Sequence, residues 1–316
     1  MEAFSELFGF AIGVTSRTFF WVLLGVLAFR TGKLSAALVQ RTAGLVFRYG
    51  LPIILFFGAA RVDYGQVAQA KYLLAGVIAT LLVVAAAILY ARLRGYLAGD
   101  LAIFAQAAYR ANTGVVGIAL AAAAYGEEGV ALAAMPVALL TILYNLIAVV
   151  LLGRVYAGGR SPLWWPLDIL RNPLVIGIAA GAAWSILDLP MGPRMQQFGS
   201  GVSSLVLPLA LGCIGASLNL KVLASSGLLT LEASLWKLVV TPAVAVAIGV
   251  AMGVHSAELG VLFLLTASPV ASASYVMIVA AGGDGSKAAN VVVASTLLSL
   301  VSLTLGLAVL QALGWI

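Results

Sequence analysis

Two stretches of this sequence combine helix-breaking residues with polar side chains in apolar surroundings: Arg110-Ala111-Asn112-Thr113-Gly114 and Ser268-Pro269-Val270-Ala271-Ser272. Pro269 removes an amide donor and clashes with the preceding turn. Gly114 and Gly117 add backbone freedom beside Asn112, whose side chain competes for backbone partners. At membrane depth a broken helix is tolerated only where protein encloses it or where it lines a wet cavity. Half-helix N-termini there offer amides and positive dipole ends to an anion. Asn112, Thr113, Gly114, Ser268, Pro269 and Ser272 are therefore expected to form an anion site where two broken helices cross. The competing reading is that Pro269 only kinks a packing helix.

Four cations fall within apolar segments: Arg17, Arg48, Arg110 and Lys237, and each would be costly against lipid. Arg110 stands two residues before Asn112, so its guanidinium could grip a carboxylate bidentately; alternatively it pairs with carbonyls freed by the break. Lys237, five residues before Pro242, reads either as a fixed cation in place of a metal ion or as a charge balancing a neighbouring helix dipole. Glu232 is about 140° away from it around one helix, so the two are not an obvious pair. Arg48 either lines the cavity wall or meets a partner helix, and Arg17 could snorkel to an interface without a function of its own. Tyr144 and Asn145 form a polar pair in an apolar run, serving either ligand contact or interhelical hydrogen bonding. Ser272 and Ser274 offer hydroxyls or permit close packing.

The elements that must carry these groups follow from composition. Of 316 residues 63% are hydrophobic and 9% charged, against about 25% charged in an ordinary soluble domain. Apolar runs predict helices near 7–29, 35–58, 71–92, 101–123, 129–152, 171–187, 200–219, 228–252, 257–281 and 287–313. With both termini outside, the predicted inner loops gather ten Lys or Arg, while the outer loops hold Arg61, Lys71 and Arg194. The formal charge of +6 is thus spread over short loops as a topology signal, not gathered into a nucleic-acid-binding stripe. Glu2 and Glu6 stand where a signal peptide would be basic, so cleavage is not expected. A polar stretch at 153–170 with Gly158, Gly159 and Pro162 separates residues 1–152 from 171–316 as a cytoplasmic linker. Pro52 and Pro208, and Gly25 and Gly181, lie 156 apart, and Gly126-Glu127 and Gly283-Asp284 lie 157 apart. Those offsets fit two five-helix repeats, the second inserted upside down, giving an all-α membrane protein. Gly9/Gly13, Gly177/Gly181 and Gly249/Gly253 have the spacing of close helix packing.

Ala111 to Leu120, reading A-N-T-G-V-V-G-I-A-L and followed by Tyr125-Gly126-Glu127, resembles the fourth-helix crossover of the auxin efflux carrier family. The plant members carry P-N-T-x-V-x-G-I-P-L there, so Ala111 and Ala119 replace two prolines and the break must rest on Asn112 and the glycines. Gly44-Leu45-Val46-Phe47, Leu51-Pro52, Asn172-Pro173, Gly215-Ala216-Ser217-Leu218, Lys237-Leu238 and Ser268-Pro269-Val270-Ala271 agree in order along nearly the whole chain. The resemblance implies ten helices with the N-terminus outside, a scaffold of helices 1, 2, 6 and 7, and a transport unit of helices 3 to 5 and 8 to 10. Its bacterial relatives are associated with malate and malonate and its plant relatives with indole acetate, which implies a small organic anion as partner. A homodimer and a bacterial cytoplasmic membrane are likewise implied by resemblance alone.

Several classes of chemistry have no residues to support them. The single cysteine, Cys213, permits neither a disulfide framework nor a cysteine-based metal site, and His255, the single histidine, is predicted in a loop. No G-x-x-x-x-G-K-[ST] loop is present, no acidic pair sits at the breaks, and no triad points to an enzyme. No cofactor is expected, and the partners are membrane lipid and a small organic anion. A secondary transporter working by alternating access leads, with an anion channel or a non-transporting receptor at the same crossover as alternatives.

Overall fold

The computed structural model describes residues 2–61, 71–156, 173–218 and 227–316. Among them the secondary structure is helical, apart from one isolated antiparallel bridge between Ala111 and Val270. The helices are α1 (Glu2–Arg30), α2 (Ala36–Ala59), α3 (Lys71–Leu93), α4 (Ala98–Tyr109), α5 (Thr113–Val155), α6 (Pro173–Ile186), α7 (Pro193–Ser217), α8 (Leu228–Ala251), α9 (Ser256–Ala267), α10 (Ser272–Ala280) and α11 (Gly285–Ala312). Wide π turns lie inside α2 at Val46–Gly50, at the start of α5 at Thr113–Gly117, and inside α8 at Trp236–Val240. Most of the linker expected at 153–170 lies outside the described residues, as do Asn172 and Lys221; Gly153 to Val155 simply continue α5.

Six of these helices, α2, α3, α5, α7, α8 and α11, are long and apolar enough to cross a membrane, which points to an integral membrane protein. The outer faces agree. Leu228, Leu231, Leu235 and Val239 on α8, and Leu298, Val301, Leu305 and Val309 on α11, form exposed apolar stripes at spacings of three and four residues. On α11 the polar residues Ser295, Thr296 and Ser299 are instead buried. Such an inverted pattern suits hydrocarbon outside and hydrogen-bonding partners within. The 43-residue α5 is not one rod. Gly126 adopts φ 60°, ψ −138°, and a Cβ on Gly129 would lie 2.1 Å from the Ala121 carbonyl oxygen. Residues eight apart would be about 12 Å apart along a straight helix, so the chain folds back there.

The chain forms two compact units, each using segments from both halves of the sequence. The first holds residues 1–70, 114–138 and 167–218, the second 71–113, 139–166 and 219–316. In the first, α1 meets α7 through missing side chains: a Cβ on Gly25 would lie 2.0 Å from the Gly212 carbonyl oxygen, and one on Gly215 1.9 Å from that of Val22. Gly177 and Gly181 bring α6 against Pro52 and Phe56 of α2 in the same way. The core of the second unit gathers α3, α4 and the second arm of α5 around Phe104, Tyr109, Leu140 and Tyr144.

Candidate functional site: a crossing of two broken helices

Both helices that contain the candidate residues stop short. α4 and α9 have 12 residues each, about 18 Å, too little to span a hydrocarbon core of about 30 Å. α4 ends where Arg110 turns to φ −80°, ψ 91°, and α9 ends where Ser268 turns to φ −55°, ψ 143°. The two extended segments that follow pair with each other inside the second unit. The Asn112 amide donates to the Pro269 carbonyl at 2.8 Å, and the Ala271 amide donates to the Arg110 carbonyl at 3.1 Å, on either side of the Ala111–Val270 bridge.

This pairing diverts two amides from their helices. In an unbroken helix the Ala108 carbonyl would accept from the Asn112 amide and the Thr266 carbonyl from the Val270 amide. Asn112 is used by Pro269, and the Val270 amide donates to Ser295 Oγ at 3.1 Å. In hydrocarbon each unsatisfied backbone group costs several kcal/mol. Both orphaned carbonyls are captured by side chains one turn apart on α8: Thr241 Oγ1 donates to the Ala108 carbonyl at 2.7 Å, and Lys237 Nζ to the Thr266 carbonyl at 2.7 Å. The Ser268 hydroxyl turns back onto the Leu264 carbonyl at 2.7 Å.

The side chain of Arg110 is not satisfied in this way. The residue is 7% exposed, and its Nη2 donates to Asn145 Oδ1 at 2.7 Å. Its Nε and Nη1 are buried and have no hydrogen-bond partner among the described residues, and no carboxylate pairs with it there. Next to it, the Tyr109 hydroxyl donates to the Tyr144 carbonyl at 3.3 Å, and the two tyrosine rings lie 5.5 Å apart. Consecutive residues at the end of α4 thus engage consecutive residues of α5. Two further buried oxygens of this unit, Gln106 Oε1 and Ser274 Oγ, also lack partners among the described residues. A guanidinium with unused donors in an apolar enclosure has the chemistry to donate to an anionic oxygen.

The structure brings Arg110, Asn112, Tyr144, Asn145, Ser268, Pro269 and Lys237 into one hydrogen-bonded crossing or its immediate supports. Thr113 is buried at the start of the π turn, and Gly114, its half-buried neighbour, is grouped with the first unit. Ser272 is exposed at the start of α10 and takes no described part. Arg48 is exposed in the first unit, its guanidinium 6.0 Å from the Tyr49 ring centre, and Arg17 lies in α1 with its side chain outside the description. Thr241 and Ser295 complete the crossing and carry little sequence signal: Thr241 only precedes a proline, and Ser295 is one of several hydroxyl residues on α11.

Polar clusters and cavities elsewhere are of a different kind. At the Leu228 end of α8, Glu232 accepts from Arg94 Nη2 at 2.6 Å and from the Tyr96 hydroxyl. Burial, and then the bond to Glu232, pushes that phenol up to about 12. A cavity of about 980 Å³ between α8 and α11 is lined mainly by apolar residues such as Leu235, Val239, Val301 and Leu305, with the hydroxyl residues Ser234 and Ser302 and no charged residue in its lining. No protein-family model matches this chain, and no curated protein matches it.

Proposed function

We propose that this chain is a secondary membrane transporter that carries a small organic anion, a carboxylate, by alternating access at the crossing of its two broken helices. Membership of the auxin efflux carrier family, with ten helices in two inverted five-helix repeats, is part of that proposal. The observation that carries it is the buried Arg110 guanidinium with Nε and Nη1 unpartnered, among described residues that are helical and include six apolar helices of membrane-crossing length. The repeat is supported by the matching roles of Ala108 and Thr266, whose carbonyls are orphaned 158 residues apart, close to the offsets of 156 and 157 in the sequence. Export or exchange across a bacterial cytoplasmic membrane belongs to the same reading.

The test is uptake of labelled malonate, malate and indole acetate by proteoliposomes. A saturable flux with counterflow exchange, abolished by Arg110→Met and by Asn112→Ala in folded protein, is the expected result. Large ohmic currents would mean a channel, and specific binding without uptake would mean a receptor. Full transport by both variants would remove the site.

A further inference from the structure

Lys237 is fully buried, and among the described residues no carboxylate pairs with its ammonium. Its one described partner is the Thr266 carbonyl, in the last turn of α9. That end of a helix presents unpaired carbonyls and the negative pole of the helix dipole, so a cation is the favoured occupant. The dependence is mutual, because the amide that would have served Thr266 is committed to Ser295.

We propose that Lys237 is a positioning residue for the anion site: by holding the end of α9 it fixes the segment Ser268–Ala271 and, through the paired segment, the direction of the free Arg110 donors. The chain of contacts is continuous. Lys237 holds Thr266; three residues on, Pro269 accepts the Asn112 amide, and Ala271 donates to the carbonyl of Arg110 itself. Thr241 does the same for α4 with a neutral hydroxyl, and there the positive charge at the helix end is supplied by Arg110 two residues beyond Ala108. Each break therefore has one cation. The charge of Lys237 is committed to a backbone carbonyl, while that of Arg110 remains open to a ligand.

This inference rests on the carrier reading for what the site binds, but its test does not need transport. Amide hydrogen exchange is measured on the purified full-length protein as wild type, Lys237→Met, Lys237→Arg, Lys237→Gln and Thr241→Val. Lys237→Met is expected to speed exchange about tenfold or more in the peptides covering 264–272 and 109–117, and Lys237→Arg to restore protection. Malonate binding, read by its own thermal shift, should weaken at least tenfold in Lys237→Met and recover in Lys237→Arg. Wild-type protection of both peptides in Lys237→Met overturns the proposal. Full recovery in Lys237→Gln overturns the need for a cation. If Lys237→Met fails to insert, Lys237→Gln and Thr241→Val decide: Thr241→Val should deprotect 105–113 first, and unchanged exchange in both overturns the tether. If malonate fails to bind the wild type, the exchange result still stands or falls alone, and only the carrier reading is lost.

Discussion

Replacing Arg110 by methionine should leave the ligand-free protein as stable as the wild type or more so, while removing its response to a carboxylate. Arg110 is buried, and its guanidinium holds one described hydrogen bond at 2.7 Å and leaves two donors unmatched. Losing a hydrogen bond to a charged group costs about 1.5–3 kcal/mol. Replacing an under-compensated buried charge with an apolar side chain of similar volume is neutral or stabilising by about 1–4 kcal/mol. That figure is net of the lost hydrogen bond, so the balance lies between about zero and +4 kcal/mol. Asn145→Ala has the opposite sign, because it strips the cation of its one described partner and should cost about 2–4 kcal/mol. In Arg110→Met/Asn145→Ala most of that cost should vanish, since no buried charge is left to strand. Thermal denaturation in detergent, followed by intrinsic tryptophan fluorescence, gives the order of the four proteins. A ligand at about 100 times its Kd adds about 2.7 kcal/mol to the wild type and nothing to Arg110→Met. If Arg110→Met is as unstable as Asn145→Ala and the double variant does not recover, Arg110 is a structural pin and the ligand argument fails.

Other expectations concern supports. In the first unit Arg61 Nη1 lies 2.9 Å from Glu127 Oε2 while the Ser200 hydroxyl donates to Oε1. The Glu127 side chain is 58% exposed, so Glu127→Gln should cost less than about 1 kcal/mol and Arg61→Glu/Glu127→Arg should recover it; a larger loss would mean an additional partner. Gly25→Ala should separate α1 from α7 and cost about 1–3 kcal/mol, whereas Gly13→Ala, with open space around its Cβ, should gain up to about 1 kcal/mol; equal melting temperatures would refute that packing. The Tyr96 phenol is raised from 10.0 to about 12, first by burial and then by Glu232. Its neutral form is thus the one the fold favours. Its contribution is fully present below about pH 10 and is lost as pH rises through about 12, a dependence that Tyr96→Phe should lack in alkaline melts.

The positions of the breaks were readable because their causes are local. Pro269 cannot donate an amide, and Asn112 followed by Gly114 weakens a helix by side-chain competition and backbone freedom, so α9 and the stretch beginning at α4 had to be interrupted near those residues. Gly126, marked by its recurrence at Gly283, proved to be the point where α5 folds back. The capture of the freed carbonyls was not readable. Thr241 and Ser295 are ordinary hydroxyl residues on apolar helices, and only their distance in three dimensions from Ala108 and Val270 assigns them. Glu232 was read only as no partner for Lys237; that it meets Arg94 and Tyr96 spans sequence separations of 138 and 136. Ser272, attractive for its place beside Pro269, is exposed because α10 starts there and turns it outward.

One expectation is narrowed to fewer groups. The amides of Asn112 and Ala271 are committed to carbonyls of the opposite segment and that of Val270 to Ser295, so the half-helix amides that the sequence expects at an anion are those beyond them, in the first turns of α5 and α10. The two extended segments therefore satisfy one another through their backbones, as a dry surrounding requires. Beside this paired backbone stands an open side chain, Arg110, held on one edge by Asn145. A guanidinium held on one edge presents a planar fork to a planar oxyanion, whereas a ring of amides would favour a compact sphere. Discrimination at this site should accordingly follow carboxylate geometry more than total charge, with a monocarboxylate and a dicarboxylate of similar size binding within about tenfold of each other and chloride binding far more weakly. Chloride competing with malonate at equal concentration would place the ligand on backbone amides and return the site to the simpler picture.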